Sequence, residues 1–174
     1  APTTGTTPES LIAPLVGGPY PPGKTSVFIT KFKAKWTAAL PSTNSGSIVS
    51  LYDETAGSTT GLRGRLSTTN TASGFRVRIQ NSEGGLYTEF PQELNVGTTY
   101  TIWLKYDVDG AETQLWVDPV SEASPSVLNT DTAGARVMYD VSLRQGLDTG
   151  PVLIDDLLVT ITNRPIVSPV ITSL

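Results

Sequence analysis

The sequence predicts an all-β domain: a two-sheet antiparallel sandwich with extended N- and C-terminal segments. Three observations carry that expectation. Apolar and polar residues alternate in run after run. Threonine and serine number 25 and 16, while only 16% of residues are charged, a composition of strands and turns rather than of helices rich in Glu, Lys and Ala. Turn residues recur at the spacing typical of sandwiches. At 174 residues the chain has room for one well-buried domain.

Residues 1–23 hold Pro2, Pro8, Pro14, Pro19, Pro21 and Pro22 with Gly5, Gly17, Gly18 and Gly23, which predicts an extended segment without a ladder of its own. The sandwich is expected over 24–162. Its first strand, Thr25 to Trp36, puts Phe28, Thr30, Phe32, Ala34 and Trp36 on one face and Lys31, Lys33 and Lys35 on the other. Ile48 to Tyr52 follows the turn-forming 41–46. Leu62 to Leu66 and Phe75 to Ile79 pair across a Ser/Thr/Asn/Gly loop, with Phe75, Val77 and Ile79 inward. Arg63, Arg65, Arg76 and Arg78 then face outward. Leu86 to Phe90 and Tyr100 to Tyr106 come next, the latter with Tyr100, Ile102, Leu104 and Tyr106 on one face. Asp109-Gly110 marks a hairpin into Thr113 to Val117. Arg136 to Arg144 and Val152 to Ile161 complete about ten strands. Residues 163–174 form a strand-like tail broken by Pro169.

Composition closes several function classes. With no cysteine and no histidine, neither Ser-His-Asp nor Cys-His catalysis is available, nor a zinc site built on thiolate or imidazole. Net charge of −4 and a pI near 4.7 argue against a nucleic-acid binder. No apolar run reaches the roughly 18–20 residues that span a bilayer. The chain starts at Ala1 and its one methionine is Met138. A small residue at the start is what signal peptidase leaves, so the expectation is a secreted protein, extracellular or at the cell surface.

From Gly97 to Thr160 the chain resembles a bacterial secreted group of the concanavalin A-like lectin/glucanase (laminin-G-like) superfamily. The residues concerned are Gly97-Thr-Thr-Tyr-Thr-Ile-Trp-Leu-Lys-Tyr106, Thr113-Gln-Leu-Trp-Val-Asp-Pro119, Val141-Ser-Leu-Arg-Gln-Gly146 and Ile154-Asp-Asp-Leu-Leu-Val159. The resemblance implies a jelly roll in which these are successive strands. Its relatives include sugar-binding modules, adhesive domains and glycanases. The Glu-x-Asp-x-x-Glu strand of the glycanase branch, which sets carboxylates on one face, is absent here, so the protein is expected not to be an enzyme. A glycan lyase or hydrolase would need a pair of acids, or a Tyr with Lys or Arg, converging in a groove.

Candidate residues fall into three groups. Lys31, Lys33, Lys35, Arg63, Arg65, Arg76 and Arg78 form a cationic surface, either for an acidic polysaccharide or partner or simply solvated, with lysines that discourage edge pairing. Trp103 and Trp116 lie opposite the core alternation, as platforms for sugar rings or a neighbour, or as a second core layer under loops. Leu11, Ile12, Leu15 and Val16 at the front, with Ile166, Val167, Val170, Ile171 and Leu174 at the back, are candidates for assembly by strand addition between subunits; the alternative is a tail folded on its own sandwich. No cofactor is expected. Calcium is weighed at Asp107, Asp109 and Glu112 against turn chemistry. Asp155 and Asp156, as neighbours on a strand, should point to opposite faces.

Two readings result. One is a non-enzymatic extracellular structural protein that polymerises through its terminal segments into a filament, sheath or matrix. The other is a carbohydrate-binding or adhesion module of a secreted protein.

Overall fold

The computed structural model describes residues 9–40, 46–53, 61–82, 85–130, 134–145 and 149–163. Among these residues there are eleven strands and no helix: β1 (Glu9–Pro14), β2 (Ser26–Trp36), β3 (Ser47–Tyr52), β4 (Leu62–Asn70), β5 (Phe75–Ser82), β6 (Thr88–Glu89), β7 (Thr99–Asp107), β8 (Glu112–Val117), β9 (Val127–Thr130), β10 (Asp140–Gln145) and β11 (Val152–Asn163). They form two antiparallel sheets, one of six strands in the order β1-β10-β3-β4-β5-β6 and one of five in the order β11-β2-β7-β8-β9. Among the described residues no helix is long and apolar enough to cross a membrane.

Alternation builds the core as the sequence implies. Phe28, Thr30, Phe32, Ala34 and Trp36 of β2 are all buried, as are Tyr100, Ile102, Leu104 and Tyr106 of β7. A large cluster centres on Trp36 and Phe75, whose rings lie 4.7 Å apart. A smaller one gathers Leu15, Phe28, Leu51, Tyr106, Val108 and Met138, with the Tyr20 ring edge-on to Phe28 at 5.1 Å. The Asp109-Gly110 hairpin joins β7 to β8, with Ala111 at φ 49°.

Elsewhere the structure departs from the sequence-based expectation. The N-terminal segment does have a ladder: β1 pairs with β10, Leu11 opposite Leu143 and Ala13 opposite Val141. The five residues after Pro8 contain no proline, and Pro14 ends an edge strand, where a missing N–H breaks no ladder. The strand expected at Leu86 to Phe90 shrinks to Thr88–Glu89, and Val127–Thr130 is an additional short strand.

A buried polar bridge fastens the two sheets at one end. Asn81 of β5 accepts from Thr113 Oγ1 at 2.8 Å and donates through Nδ2 to the Ala111 carbonyl. Its backbone N–H donates to Asn129 Oδ1 at 2.9 Å. Asn129 Nδ2 in turn donates to Leu86 O at 3.0 Å and to Thr88 Oγ1 at 2.9 Å. A buried amide satisfied on both ends is stabilising where an unsatisfied one would be costly. The same bonds hold residues 86–88 in place.

Candidate functional site

The outer face of the six-stranded sheet is polar across its width. Register fixes which residues lie there. Leu143, Val49, Leu66 and Ile79 are successive partners across β10, β3, β4 and β5 and form an inward row. Their chain neighbours therefore face out: Ser142 and Ser50, paired with each other, and Arg65 paired with Gln80. Ser67, Arg78 and Glu89 make the next outward row.

A bulge in β4 sets the two arginines here. Val49 and Leu51, two apart on β3, oppose Leu66 and Arg63, three apart on β4. The extra residue lets Gly64 adopt φ +51°, a conformation suited to glycine. A Cβ at Gly64 would sit 3.2 Å from the Tyr106 ring of the facing sheet. Gly64 thus presses on the core while Arg63 and Arg65 leave β4 on its other face, where both are buried.

Each arginine on this face is held differently. Arg63, 8% exposed, directs Nε and Nη2 to Asp53 Oδ2 at 2.8 and 2.7 Å. Arg76 meets Glu89 at 3.5 Å, at a more exposed position. Arg78 donates from Nε to Ser67 Oγ at 3.2 Å and stacks its guanidinium 3.8 Å from the Tyr87 ring centroid. Arg65, 9% exposed, donates from Nη1 to Gln80 Oε1 at 2.8 Å, and its buried Nε has no acceptor. Gln80 Nε2 reaches on to the Gly85 carbonyl. Gln80 therefore links Arg65 to the loop that carries Tyr87, and Asn129 supports that loop from behind.

The expected seven-cation surface is not one surface. Lys31, Lys33 and Lys35 lie on β2 in the five-stranded sheet, whereas Arg63, Arg65, Arg76 and Arg78 lie on β4 and β5 in the other. The two groups face away from each other across the sandwich. Arg63 and Arg65 are also buried rather than displayed. Lys31 caps the Trp103 ring at 3.6 Å, and Lys33 pairs with Asp156 at 2.6 Å. A bulge between Asp155 and Leu158, with Asp156 at φ 54°, turns the second carboxylate toward Lys33. The two acids thus do not simply point apart: Asp156, by hydrogen bond and charge, and Asp155, by charge, hold the Lys33 ammonium above the usual lysine range.

The other candidates are placed as follows. Trp116 is paired with Trp103 but is 2% exposed, so it offers no platform. Leu15 is buried in the smaller core cluster and Ile12 is half-buried on β1, while Leu11 and Val16 are 64% and 90% exposed. Ile166, Val167, Val170, Ile171 and Leu174 lie outside the described residues. Asp107 Oδ1 accepts the backbone N–H groups of Asp109 and Gly110 at 3.0 Å, and Asp109 accepts those of Gly23 and Thr25. These carboxylates serve turn chemistry, and among the described residues no group of three or more acidic, His or Cys side chains could hold a metal.

Sequence reading did not single out Gln80, Tyr87 or Asn129. Their signals were faint: a glutamine inside an Arg-x-Arg-x-Gln alternation, and an aromatic just after Gly84-Gly85.

No family model matches the chain, and no curated protein matches it. Solved structures do resemble it. An alginate lyase from Pseudomonas aeruginosa superposes with a TM-score of 0.56 at 14% identity, covering 83% of this chain and 69% of that one. A SAP-like pentraxin from Limulus polyphemus gives 0.53 at 15% identity, over 88% and 76%. A toad ovary galectin in complex with thio-digalactose gives 0.50 at 8% identity, over 87% and 98%. The chain has the concanavalin A-like jelly-roll fold, as the resemblance read from Gly97 to Thr160 implied.

Proposed function

We propose that the protein is a non-catalytic, extracellular carbohydrate-binding module whose site is the outer face of the six-stranded sheet. The observation that carries this reading is the Arg78–Tyr87 stack beside the Arg65–Gln80 pair. Tyr87 stands 36% exposed with its ring oriented by a cation, and an aromatic face next to fixed polar groups is what sugar recognition requires. The company of a galectin solved with thio-digalactose supports the choice of ligand class. With no histidine or cysteine in the chain, the site is better equipped to bind than to turn over.

A glycan panel spanning neutral and acidic oligosaccharides, followed by calorimetry on the hits, tests the reading. Tyr87→Ala should weaken any hit about tenfold or more. A folded protein that binds nothing on the panel would overturn it.

Self-assembly remains the second reading, favoured by one observation: β1 is an edge strand with Leu11 exposed beside it. Negative-stain images of the full chain against a version lacking residues 166–174 test it. Filaments lost on truncation support it, and single particles in both samples count against it.

A further inference from the structure

The two sheets end in edge strands on the same flank of the sandwich. β11 is an edge of the five-stranded sheet and β1 of the six-stranded one, and the smaller core cluster joins them, packing Leu15, just after β1, with Val159 and Ile161 of β11. This flank is apolar and open to water. Leu11 continues the inward row of its neighbour Leu143, yet is 64% exposed, and Val159 and Ile161 are only half-buried. Leu157 and Leu158 stand 41% and 52% exposed on the same strand. Proteins commonly blunt such edges with charge, proline or a bulge. In β11 the bulge and the acids Asp155 and Asp156 lie before Leu158, while 157–163 contains no charge, proline or glycine.

Hydrogen-bond phase decides which backbone groups of β11 face away from β2. Thr160 Oγ1 donates to Ile29 O and Thr162 Oγ1 to Val27 O, so these carbonyls point toward β11, whereas Ser26 O points the other way and accepts from the Val108 N–H just past β7. Thr160 and Thr162 are therefore the hydrogen-bonded partners of Ile29 and Val27, and Val159 and Ile161 turn their N–H and C=O groups to the open edge. We propose that this edge pairs with the same edge of a second copy, antiparallel about a two-fold axis through Thr160, in a closed dimer whose five-stranded sheets run on into each other. The phase fits that symmetry. Val159 of each copy then faces Ile161 of the other, and the two exchange both N–H···O bonds. Their side chains, on the inward face, form β-branched pairs over the open flank. Thr160 meets its own copy across the axis. Every other two-fold register of this phase shortens the seam or runs into the bulge at 155–158. A two-fold contact closes on itself, so it builds no filament, and it goes beyond the carbohydrate reading because it needs no glycan. At 3.4 Å per residue the seam over 157–163 is about 24 Å long, at the small end of stable interfaces, which sets Kd at about 1–100 μM.

Sedimentation velocity of the full chain, without glycan, over about 1–500 μM tests the proposal. A monomer–dimer equilibrium in that range is expected. A monomer at every concentration overturns it, and so does an assembly that grows past two copies. Hydrogen exchange on the parent chain reads the register. The Val159 and Ile161 amides should slow about tenfold or more as the dimer fills, while the Thr160 amide, bonded to β2, is protected throughout. A dimer that leaves those two amides unchanged overturns the assignment to β11. Thr160→Lys sets two ammonium groups face to face only in the dimer and should weaken association about tenfold or more, and mixing it with Thr160→Glu should restore a heterodimer. Leu128→Lys, on β9 at the opposite flank, should leave association unchanged. Loss of the dimer there, with Thr160→Lys associating normally, would overturn the proposal. A chain lacking residues 166–174 tests the other occupant: if it dimerises while the full chain does not, the edge belongs to the chain's own tail, which also overturns the proposal. Thermal melts check that each variant folds, and the exchange measurement decides the matter where one does not.

Discussion

Replacing Asp53 with alanine removes the only carboxylate that matches Arg63 among the described residues. Both side chains of the pair are about nine-tenths buried, at 10% and 7% exposure, and two guanidinium nitrogens converge on one oxygen at 2.7 and 2.8 Å. At that separation the gross attraction is about 6 kcal/mol with an effective dielectric near 20. Most of it offsets desolvation, so the pair itself contributes little net stability. Breaking it is different, because Arg63 would stay buried and charged, at a cost of about 3–5 kcal/mol. For a chain of 174 residues the unfolding entropy is about 0.37 kcal/mol/K, so Asp53→Ala should lower Tm by about 8–14 °C. Differential scanning calorimetry at pH 7 reads this directly. The double variant Asp53→Ala/Arg63→Met should recover most of the loss, since no charge is then stranded. A drop under about 3 °C, or a double variant no better than Asp53→Ala, would refute the argument that burial, not the bond, sets the magnitude.

Other expectations follow from the same structure. Gly74→Ala places a Cβ 2.4 Å from the Leu94 carbonyl, which must break the Phe75–Leu94 bridge and should cost about 2–3 kcal/mol in urea unfolding. Asn129→Ala strands the Asn81 N–H and frees Leu86 O and Thr88 Oγ1. It should cost about 2–3 kcal/mol and loosen Tyr87, seen as faster amide exchange over residues 85–88 and weaker glycan binding. Hydrogen bonds from Ser73 and Thr71 hold the Glu93 carboxyl below the usual glutamate range. Because the folded value is depressed, its contribution is whole above the unfolded value near 4.5 and disappears as pH falls through the folded one. The turn at 71–74 should therefore open selectively only as pH falls below the unfolded value near 4.5 and through the lower folded one, and Glu93→Gln should erase that step in amide-exchange profiles.

Local patterning carried the strands whose two faces differ. In β2 five buried residues alternate with three lysines, and Asp-Gly marked the β7–β8 hairpin, so both were legible. What the sequence hid depends on partners far along the chain. Nothing near Lys31 or Arg63 says that β2 and β4 join different sheets, so the cations read as one surface. Trp116 alternates as an outward residue yet is buried, because burial of a sheet's outer face is decided by what lies over it. β1 was masked by its flanking prolines, although it needs only one neighbour. The site was half legible: the arginines stood out by charge, while Gln80 and Tyr87 matter only through a register and a loop contact.

The strand order also says when the molecule becomes complete. The hairpins β4–β5 and β7–β8 close over short loops, but β2 pairs with β11 across most of the chain, with Thr160 donating to Ile29 O over a separation of 131 residues. β1 and β10 meet over a similar span. Loop closure must precede the reward for such contacts, which slows folding. Until β11 arrives, β2 offers an unpaired edge beside Phe28, Phe32 and Trp36, an invitation to other unfinished copies. Refolding from urea should therefore be slow, and its yield should fall as protein concentration rises.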